Sequence, residues 1–135
     1  MSKPPITADL RWIGELRFSA TSDQAAVTID SAGLAGPSPV QALGIALAGC
    51  MSADVVHILR RGHHSLRALR SHLVAERAQD DPHRLVRVTL QFTIEGDVPR
   101  DAIERAIALS RDKYCSVWHS MRQDIDFQVT FDVAA

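Results

Sequence analysis

The stretch "SPVQALGIALAGCMSADVVHILRRG" (Ser38–Gly62) is the longest apolar segment of this 135-residue chain. Its first residues are typical of a helix N-terminus, because Ser38 can cap free backbone N–H groups and Pro39 loses no hydrogen bond at the first helical position. Its last residues are typical of a helix C-terminus, because the two arginines suit the negative end of the helix dipole and Gly62 favours a stop. The sequence therefore predicts one helix from Pro39 to about Arg61.

This helix is apolar enough to resemble a membrane span. From Pro39 to Leu59 it carries only four polar side chains, Gln41, Ser52, Asp54 and His57. An acidic side chain near the centre of a span costs roughly 2.5–3.5 kcal/mol on insertion scales, and the rest of the chain has no membrane character. We therefore predict no membrane partner, and a helix that is buried on nearly all sides inside a globular assembly.

Small residues along the helix indicate what buries it. A helix of this length is about 35 Å long at 1.5 Å per residue, so one small sheet cannot cover all of its sides. Another helix could approach closely at six small residues: Ala42, Gly44, Ala46, Ala48, Gly49 and Ala53. We predict an obligate homodimer in which two copies of this helix pack together with sheets around them.

The flanking segments predict an α+β fold. Residues 5–31 alternate and contain turn residues, which indicates three short strands. Residues 85–94 are typical of a strand, because polar and apolar side chains alternate from Val86 onward. The segment 65–78 fits a helix or a strand, and we assign it as the antiparallel partner that a long strand needs, with 79–83 as the hairpin loop.

Three further elements complete the order. Residues 98–114 are typical of a surface helix that begins at Pro99, and residues 115–121 fit a short helical turn. The inner stripe of the surface helix is predicted to be Ile103, Ala106, Ile107 and Ser110. Residues 125–133 alternate as a final strand. The predicted order is β-β-β-α-β-β-α-(α)-β, in a single domain that spans residues 1–135.

Composition excludes several classes of function. The chain has 15 basic and 16 acidic side chains and a formal net charge of −1, so a basic nucleic-acid-binding surface is not expected. Its first ten residues, "MSKPPITADL", lack the apolar segment of a secretory signal, and we predict a cytoplasmic location. Two cysteines in such a chain indicate two inert buried thiols or a redox pair, because a structural disulfide scaffold is not typical of this setting.

The first cysteine, Cys50, lies in the middle of the predicted helix. Free cysteines are often buried and inert, so this interpretation stays open from the residues alone. Asp54 follows one turn later on the same face, and a Cys–Asp–His triad with His57 is excluded because seven helical residues separate Cys50 from His57 by about 10.5 Å. The second cysteine, Cys115, lies 65 residues further along the chain, and periodicity cannot tell whether the two sulfurs meet.

Cys115 begins the predicted short helix. A position at a helix N-terminus lowers the pKa of a thiol, and His119 follows one turn later. One cysteine and one histidine do not fill a zinc site, although Cys50, Asp54 or His57 could complete one. Because the spacing matches no zinc motif, we predict no metal.

Two segments together resemble the OsmC/Ohr family, which comprises osmotically inducible protein C and the organic hydroperoxide resistance proteins. "GPSPVQALGIALAGCMSADVVHIL" is similar to the family's central-helix signature, in which a cysteine follows the helix-start proline by about eleven residues, as Cys50 follows Pro39. "KYCSVWHSM" resembles the second motif, in which a cysteine, here Cys115, begins a short helix before the last strand. The likeness covers nearly the whole chain, and it is nearest to a poorly characterised branch with the pattern GPSP…GC…DVV.

The resemblance implies an OsmC-like fold, with antiparallel β-sheets wrapped around two long central helices in an intertwined homodimer. It also implies a chemistry. Cys50 would attack the O–O bond of an organic or lipid hydroperoxide, Cys115 would resolve the sulfenic acid as a disulfide, and an external dithiol would reduce that disulfide. Neither a metal nor another cofactor is implied.

The sequence departs from the family pattern at the activating groups. Hydroperoxide-active members carry a glutamate soon after the helix-start proline, where it orients a catalytic arginine, but the matching positions here are Val40 and Gln41. The arginine usually comes from the N-terminal strands, where we predict Arg17 in preference to Arg11. Asp54 is predicted to replace the missing carboxylate.

The missing glutamate favours an alternative function on the same scaffold. The chain would then be a non-catalytic or weakly active protein that binds a small apolar or thiol-reactive ligand at the dimer interface.

Overall fold

The structure is a computed structural model that describes residues 3–134. The chain divides into two compact units, Met1–Leu43 and Gly44–Ala135. Helices and strands follow one another in the predicted order, so the α+β class and the element order expected from the sequence are confirmed. That the two units form one domain, as the sequence suggests, stays a prediction.

The first unit contains a three-stranded antiparallel meander, as predicted for residues 5–31. Its strands are β1 (Asp9–Gly14), β2 (Arg17–Ser22) and β3 (Ala25–Asp30), in the order β1-β2-β3. Most of the β1 side chains are exposed, and Trp12 is 66% exposed. The sheet therefore has little core of its own.

A buried aspartate shapes the loop that follows β3. The Asp30 carboxylate accepts hydrogen bonds from the backbone N–H groups of Ala32, Leu34 and Ala35 and from Arg17 Nε. The N–H of Ala35 is the largest cause that lowers the Asp30 pKa, followed by the N–H of Ala32. The loop thus uses a charged side chain to satisfy backbone donors that no strand or helix pairs.

The helix α1 (Pro39–Arg61) has the predicted bounds. At its N-terminus the Ser38 hydroxyl accepts the Gln41 N–H and the Gln41 side-chain oxygen accepts the Ser38 N–H, which forms a reciprocal capping box. At its C-terminus the N–H of His64 bonds the carbonyl of Leu59 and the N–H of His63 bonds that of Arg60, as in a Schellman motif.

The residue that turns the chain at this end is His63, the second residue after the helix. With φ 61°, it takes the left-handed conformation that glycine often supplies at a helix end. In a Schellman motif the left-handed position is the second residue after the last helical one. Gly62 therefore only extends the last turn, and His63 is the left-handed residue that directs the chain away from the helix.

The second unit is built on a mixed sheet of order β4-β5-β6. β4 (Ser65–Arg77) pairs antiparallel with β5 (Leu85–Asp97), as predicted, while β6 (Asp126–Ala134) pairs parallel with β5. The prediction of purely antiparallel sheets is therefore wrong at this edge. The reason is the connection, because a chain that leaves β5 through helices and crosses back over the sheet arrives parallel.

That crossover contains three short elements, namely α2 (Arg100–Leu109), a π-helical turn (Ser110–Tyr114) and α3 (Ser116–His119). Ile103 and Ala106 on α2 are fully buried, as the predicted inner stripe requires. The predicted helix over 98–114 thus ends in a wider turn, and the short helical turn over 115–121 is confirmed as α3.

The core of the second unit draws on one stripe of α1 and one face of β5. The stripe repeats every four residues, as Leu47, Met51, Val55 and Leu59. On β5 the alternate residues Val88, Leu90, Phe92 and Ile94 are fully buried. This is the alternation that the sequence predicted for the strand.

Much of α1 outside this stripe is exposed in the single chain. Ile45 is 63% exposed, and only 22% of the most apolar 18-residue window of the helix is buried. α1 is long and apolar enough to cross a membrane. Core helices of soluble proteins can have the same length and composition. The prediction that α1 is buried on nearly all sides concerns an assembly, and it stays a prediction.

Candidate thiol site

Two helices bring both cysteines and an acid to one place. Cys50 lies in the middle of α1, Asp54 follows one turn later, and Cys115 lies directly before α3. The two sulfurs and a carboxylate oxygen of Asp54 all lie within 4.8 Å of one another. The structure therefore answers the question that periodicity left open, because residues 65 positions apart in sequence meet in the second unit.

The position of Cys115 depends on the π-helical turn before it. The N–H of Cys115 bonds the carbonyl of Ser110 at 2.8 Å, and Cys115 then leaves the helical conformation with φ −73° and ψ 97°. Its sulfur accepts the N–H of Trp118 at 3.5 Å and so caps α3. π-helical turns of this kind occur frequently at functional sites.

An aromatic contact holds α3 in place. The Trp118 ring is nearly buried and lies 4.6 Å, between centroids, from the ring of Phe127 on β6. Through its cap on the Trp118 N–H, the Cys115 sulfur is tied to this packing. The second sulfur is thus fixed by the sheet as well as by the helices.

Sequence reasoning missed one polar residue of this site. Ser110 is fully buried, and its hydroxyl donates a 2.8 Å hydrogen bond to Asp54 Oδ2. The prediction placed Ser110 on the inner stripe of α2 but assigned it no partner. The available signal was a hydroxyl on an otherwise apolar stripe, because a buried hydroxyl needs a hydrogen-bond partner.

The two thiols differ in their surroundings. Cys50 is partly exposed, whereas Cys115 is fully buried. The pKa of the Cys115 thiol is raised to about 11, and burial is the largest cause. The Trp118 N–H lowers this pKa by a smaller amount, and the neighbouring Cys50 and Asp54 add smaller increases. The expectation that the helix N-terminus lowers this pKa is therefore wrong, because loss of water outweighs a single N–H donor.

The nearby histidines do not join the thiols. His119 Nε2 lies 2.9 Å from the carbonyl oxygen of Arg111, and His57 is exposed on α1. Within residues 3–134, Cys50, Asp54 and Cys115 form the only group of three or more metal-capable donors that lie this close together. His119 is not part of this group.

Arg17 has a partner within its own unit. It lies on β2, and its Nε is 3.4 Å from Asp30 Oδ2. Its side chain is 42% exposed, whereas that of Asp30 is 2% exposed. The guanidinium thus helps to hold the loop after β3, and its predicted role toward Cys50 stays a prediction.

Comparisons with known proteins agree with this fold and these motifs. The family model described as OsmC-like protein matches residues 30–130. Protein YhfA of Escherichia coli K12 is 31% identical over 132 residues, which cover 95% of this chain and 98% of YhfA.

Two solved structures share the fold at low sequence identity. A hypothetical protein from Aquifex aeolicus has a TM-score of 0.90 at 22% identity, over 98% of each chain. A protein from Legionella pneumophila described as an organic hydroperoxide resistance protein OsmC has a TM-score of 0.72 at 15% identity, over 98% of this chain and 100% of that one. At such identities the likeness is one of fold alone.

Proposed function

The chain belongs to the OsmC-like family, and we propose that it is a thiol peroxidase that reduces organic hydroperoxides. The observation that carries the proposal is the approach of the Cys50 and Cys115 sulfurs to within 4.8 Å in a largely buried setting. A partly exposed thiol beside a buried one suits a pair in which the first meets the substrate and the second resolves the product.

In the proposed reaction, the sulfur of Cys50 attacks the O–O bond of the hydroperoxide. The bond breaks, Cys50 becomes a sulfenic acid, and the alcohol leaves with the proton of the thiol. The sulfur of Cys115 then attacks the sulfenic sulfur, the disulfide forms, and the hydroxyl leaves as water with the Cys115 proton. An external dithiol returns two electrons and two protons, which restores both thiols.

The attack of Cys115 on the sulfenic acid requires a group that accepts the proton of the Cys115 thiol. Because burial raises the pKa of Cys115 to about 11, this thiol is protonated at neutral pH and must lose its proton as it attacks. Asp54 has a carboxylate oxygen within 4.8 Å of the sulfur and is oriented by the Ser110 hydroxyl. We assign Asp54 the role of passing the proton from Cys115 to the leaving hydroxide.

A cation is expected to stabilise the thiolate of Cys50, and Arg17 is our candidate. The family glutamate is absent at Val40 and Gln41, and Gln41 instead completes the cap of α1. Arg17→Ala should slow hydroperoxide consumption while leaving the Cys115 step unaffected. An unchanged rate of sulfenic acid formation in this variant would remove Arg17 from the mechanism.

The functional unit is proposed to be a homodimer in the cytoplasm. The exposed face of α1 contains Ala46, Gly49 and Ala53, which allow a second helix to come close, and the neighbouring Ile45 is 63% exposed. An intertwined pair of chains with two central helices would cover this apolar surface.

The test is intact-mass analysis of the fully reduced protein after treatment with cumene hydroperoxide. We expect the loss of two hydrogens per chain, reversed by a dithiol, and a Cys50–Cys115 link after digestion. Cys115→Ser should stop at a sulfenic acid that dimedone traps, and Cys50→Ser should abolish hydroperoxide consumption. If no disulfide formed and Cys50→Ser consumed hydroperoxide at the full rate, the peroxidase proposal would fail.

The second candidate is a binding protein for a small apolar or thiol-reactive ligand. The raised pKa of Cys115 and the missing glutamate at positions 40 and 41 favour it. Thermal stabilisation by apolar ligands, without turnover of hydroperoxide, would support this function over the first.

A further inference from the structure

We propose that the reduced thiol site also binds a soft divalent cation such as Zn²⁺, through the sulfurs of Cys50 and Cys115 and the carboxylate of Asp54. The inference about binding stands on the ligand geometry. Its consequence, inhibition of hydroperoxide reduction by the metal, rests on the proposed function.

The distances suit a zinc centre. In tetrahedral zinc sites the Zn–S and Zn–O bonds are about 2.3 Å and 2.1 Å, so neighbouring ligand atoms lie about 3.5–3.8 Å apart. The three donor atoms here already lie within 4.8 Å of one another. Small rotations of the three side chains would therefore close the site around an ion without moving a helix.

The carboxylate is oriented in the way that metal sites require. Ligating carboxylates are usually held by a further hydrogen bond, and here the buried Ser110 hydroxyl donates to Asp54 Oδ2. This bond leaves lone pairs on the carboxylate for a metal. Among residues 3–134 none of the ion pairs includes Asp54, so an ion would supply the positive charge that these residues do not.

The donor types select the metal. Two thiolates with one carboxylate favour a soft or borderline ion such as Zn²⁺ or Cd²⁺ over Mg²⁺ or Ca²⁺, which prefer sites made of oxygen ligands. Three protein ligands leave a fourth position for water or another small ligand. Cys50 is partly exposed and marks the side from which the ion would enter.

Binding and oxidation exclude one another at this site. Zn²⁺ would displace one proton from each thiol, and the two bound thiolates could not attack a hydroperoxide freely. Conversely, oxidation by a hydroperoxide takes two electrons from the thiolates, forms the disulfide, consumes two protons to give alcohol and water, and releases the ion. The metal would thus be retained only by the reduced protein.

The cluster of Cys50, Asp54 and Cys115 changes the expectation of no metal that the sequence supports. That expectation rested on the absence of a zinc spacing motif, but the ligands come from α1 and from the residue before α3, 65 positions apart. No local motif can record such a site.

The test uses the reduced, metal-free, full-length protein and Co²⁺ as a spectroscopic substitute for Zn²⁺. We expect one Co²⁺ per chain, with a thiolate-to-cobalt charge-transfer absorption that Zn²⁺ displaces. Cys50→Ser and Cys115→Ser should lose most of this absorption. Asp54→Asn should keep it but weaken binding by at least tenfold, and Ser110→Ala should weaken binding to a smaller extent.

His57→Ala is the matched control, because His57 lies on the same helix outside the cluster and should not affect binding. The control matters because the chain has six histidines that could bind Co²⁺ without any thiolate. Circular dichroism of each variant separates loss of ligand from loss of fold, and Asp54→Asn preserves the size of the side chain. Binding without thiolate absorption, or binding that Asp54→Asn and both serine variants leave unchanged, would overturn the site.

Hydroperoxide assays on the same samples separate the two proposals. Metal binding without any hydroperoxide turnover would refute the peroxidase and leave the metal site standing. Turnover that Zn²⁺ does not inhibit, in a protein that shows no thiolate–cobalt absorption, would refute the metal site and leave the peroxidase standing.

Discussion

At the scale of single residues, the site is defined by the unequal burial of two thiols. Cys50 is partly exposed and Cys115 is fully buried. A thiol with a pKa of about 11 is ionised to roughly one part in ten thousand at pH 7. Burial and protonation therefore both protect Cys115 from external reagents.

This asymmetry predicts the order of alkylation. Iodoacetamide at pH 7 should label Cys50 well before Cys115 in the folded, reduced protein, by at least a hundredfold in rate. Labelling of Cys115 should accelerate as the pH rises toward 11, because its thiolate fraction grows tenfold per pH unit below the pKa. Peptide mass mapping measures both rates, and equal labelling of the two cysteines at pH 7 would contradict the prediction.

Asp54 gives a second prediction at this scale. Asp54→Asn should slow formation of the Cys50–Cys115 disulfide by about a hundredfold, the lower end of what general acid–base catalysis contributes. The sulfenic acid of Cys50 should then accumulate in rapid-quench experiments. As the pH approaches 11 the difference from the wild type should shrink, because Cys115 loses its proton without help.

The control for this variant is Glu104→Gln, an equally conservative change at an exposed position of α2. It should leave both the rate and its pH profile unchanged. A wild-type rate of disulfide formation in Asp54→Asn would remove the proton-passing role.

At the scale of elements, the ends of α1 show how local chemistry sets boundaries. The capping box of Ser38 and Gln41 begins the helix, and the left-handed His63 ends it. Upstream, Asp30 organises the loop between β3 and α1 by accepting three backbone N–H groups.

The Asp30 loop predicts a pH-dependent effect on stability. The hydrogen bonds lower the Asp30 pKa in the folded state, so their contribution is complete above the unfolded value of about 3.9 and is lost as the pH falls through the folded value. Asp30→Asn should lower the Tm at pH 7, and the Tm gap to the wild type should narrow as the pH falls from about 4 toward 2.

Asp23→Asn is the matched control, because Asp23 is an exposed turn residue of the same meander. It should leave the Tm unchanged at every pH. A gap between Asp30→Asn and the wild type that stays constant down to pH 2 would contradict the assignment. Differential scanning calorimetry over this pH range supplies the measurement.

At the scale of the whole molecule, the main feature is the exposed side of α1. The helix presents Ala46, Gly49 and Ala53 at its surface, and a second copy of the chain is the occupant that we propose. Sedimentation should then give twice the chain mass of 14.8 kDa.

Ala53→Arg tests this interface. A long cationic side chain at a position of close helix approach should shift the sedimenting species to the monomer. Ala108→Arg makes the same change at an exposed position of α2 and should leave the dimer intact. A wild-type protein that sediments as a monomer would contradict the proposed dimer, as would an Ala53→Arg dimer of unchanged stability.

The features that depend on neighbouring residues could be predicted from the sequence. These are the bounds of α1, the pairing of β4 with β5 and the order of the elements, because caps, turns and alternation act within a few positions. Three features became evident only in the folded chain: the Cys50 and Cys115 sulfurs meet, the Ser110 hydroxyl orients Asp54, and the pKa of Cys115 rises rather than falls.

The physical reason is that these features depend on contacts between residues that are far apart in the sequence. The crossover from β5 sets the parallel direction of β6 and carries Cys115 over to α1, and neither result is encoded in the few residues around the cysteine. Burial raises the pKa of Cys115 because chain segments far apart in sequence exclude water from the thiol. The helix N-terminus, which is visible in the local sequence, supplies only one N–H donor that opposes this effect.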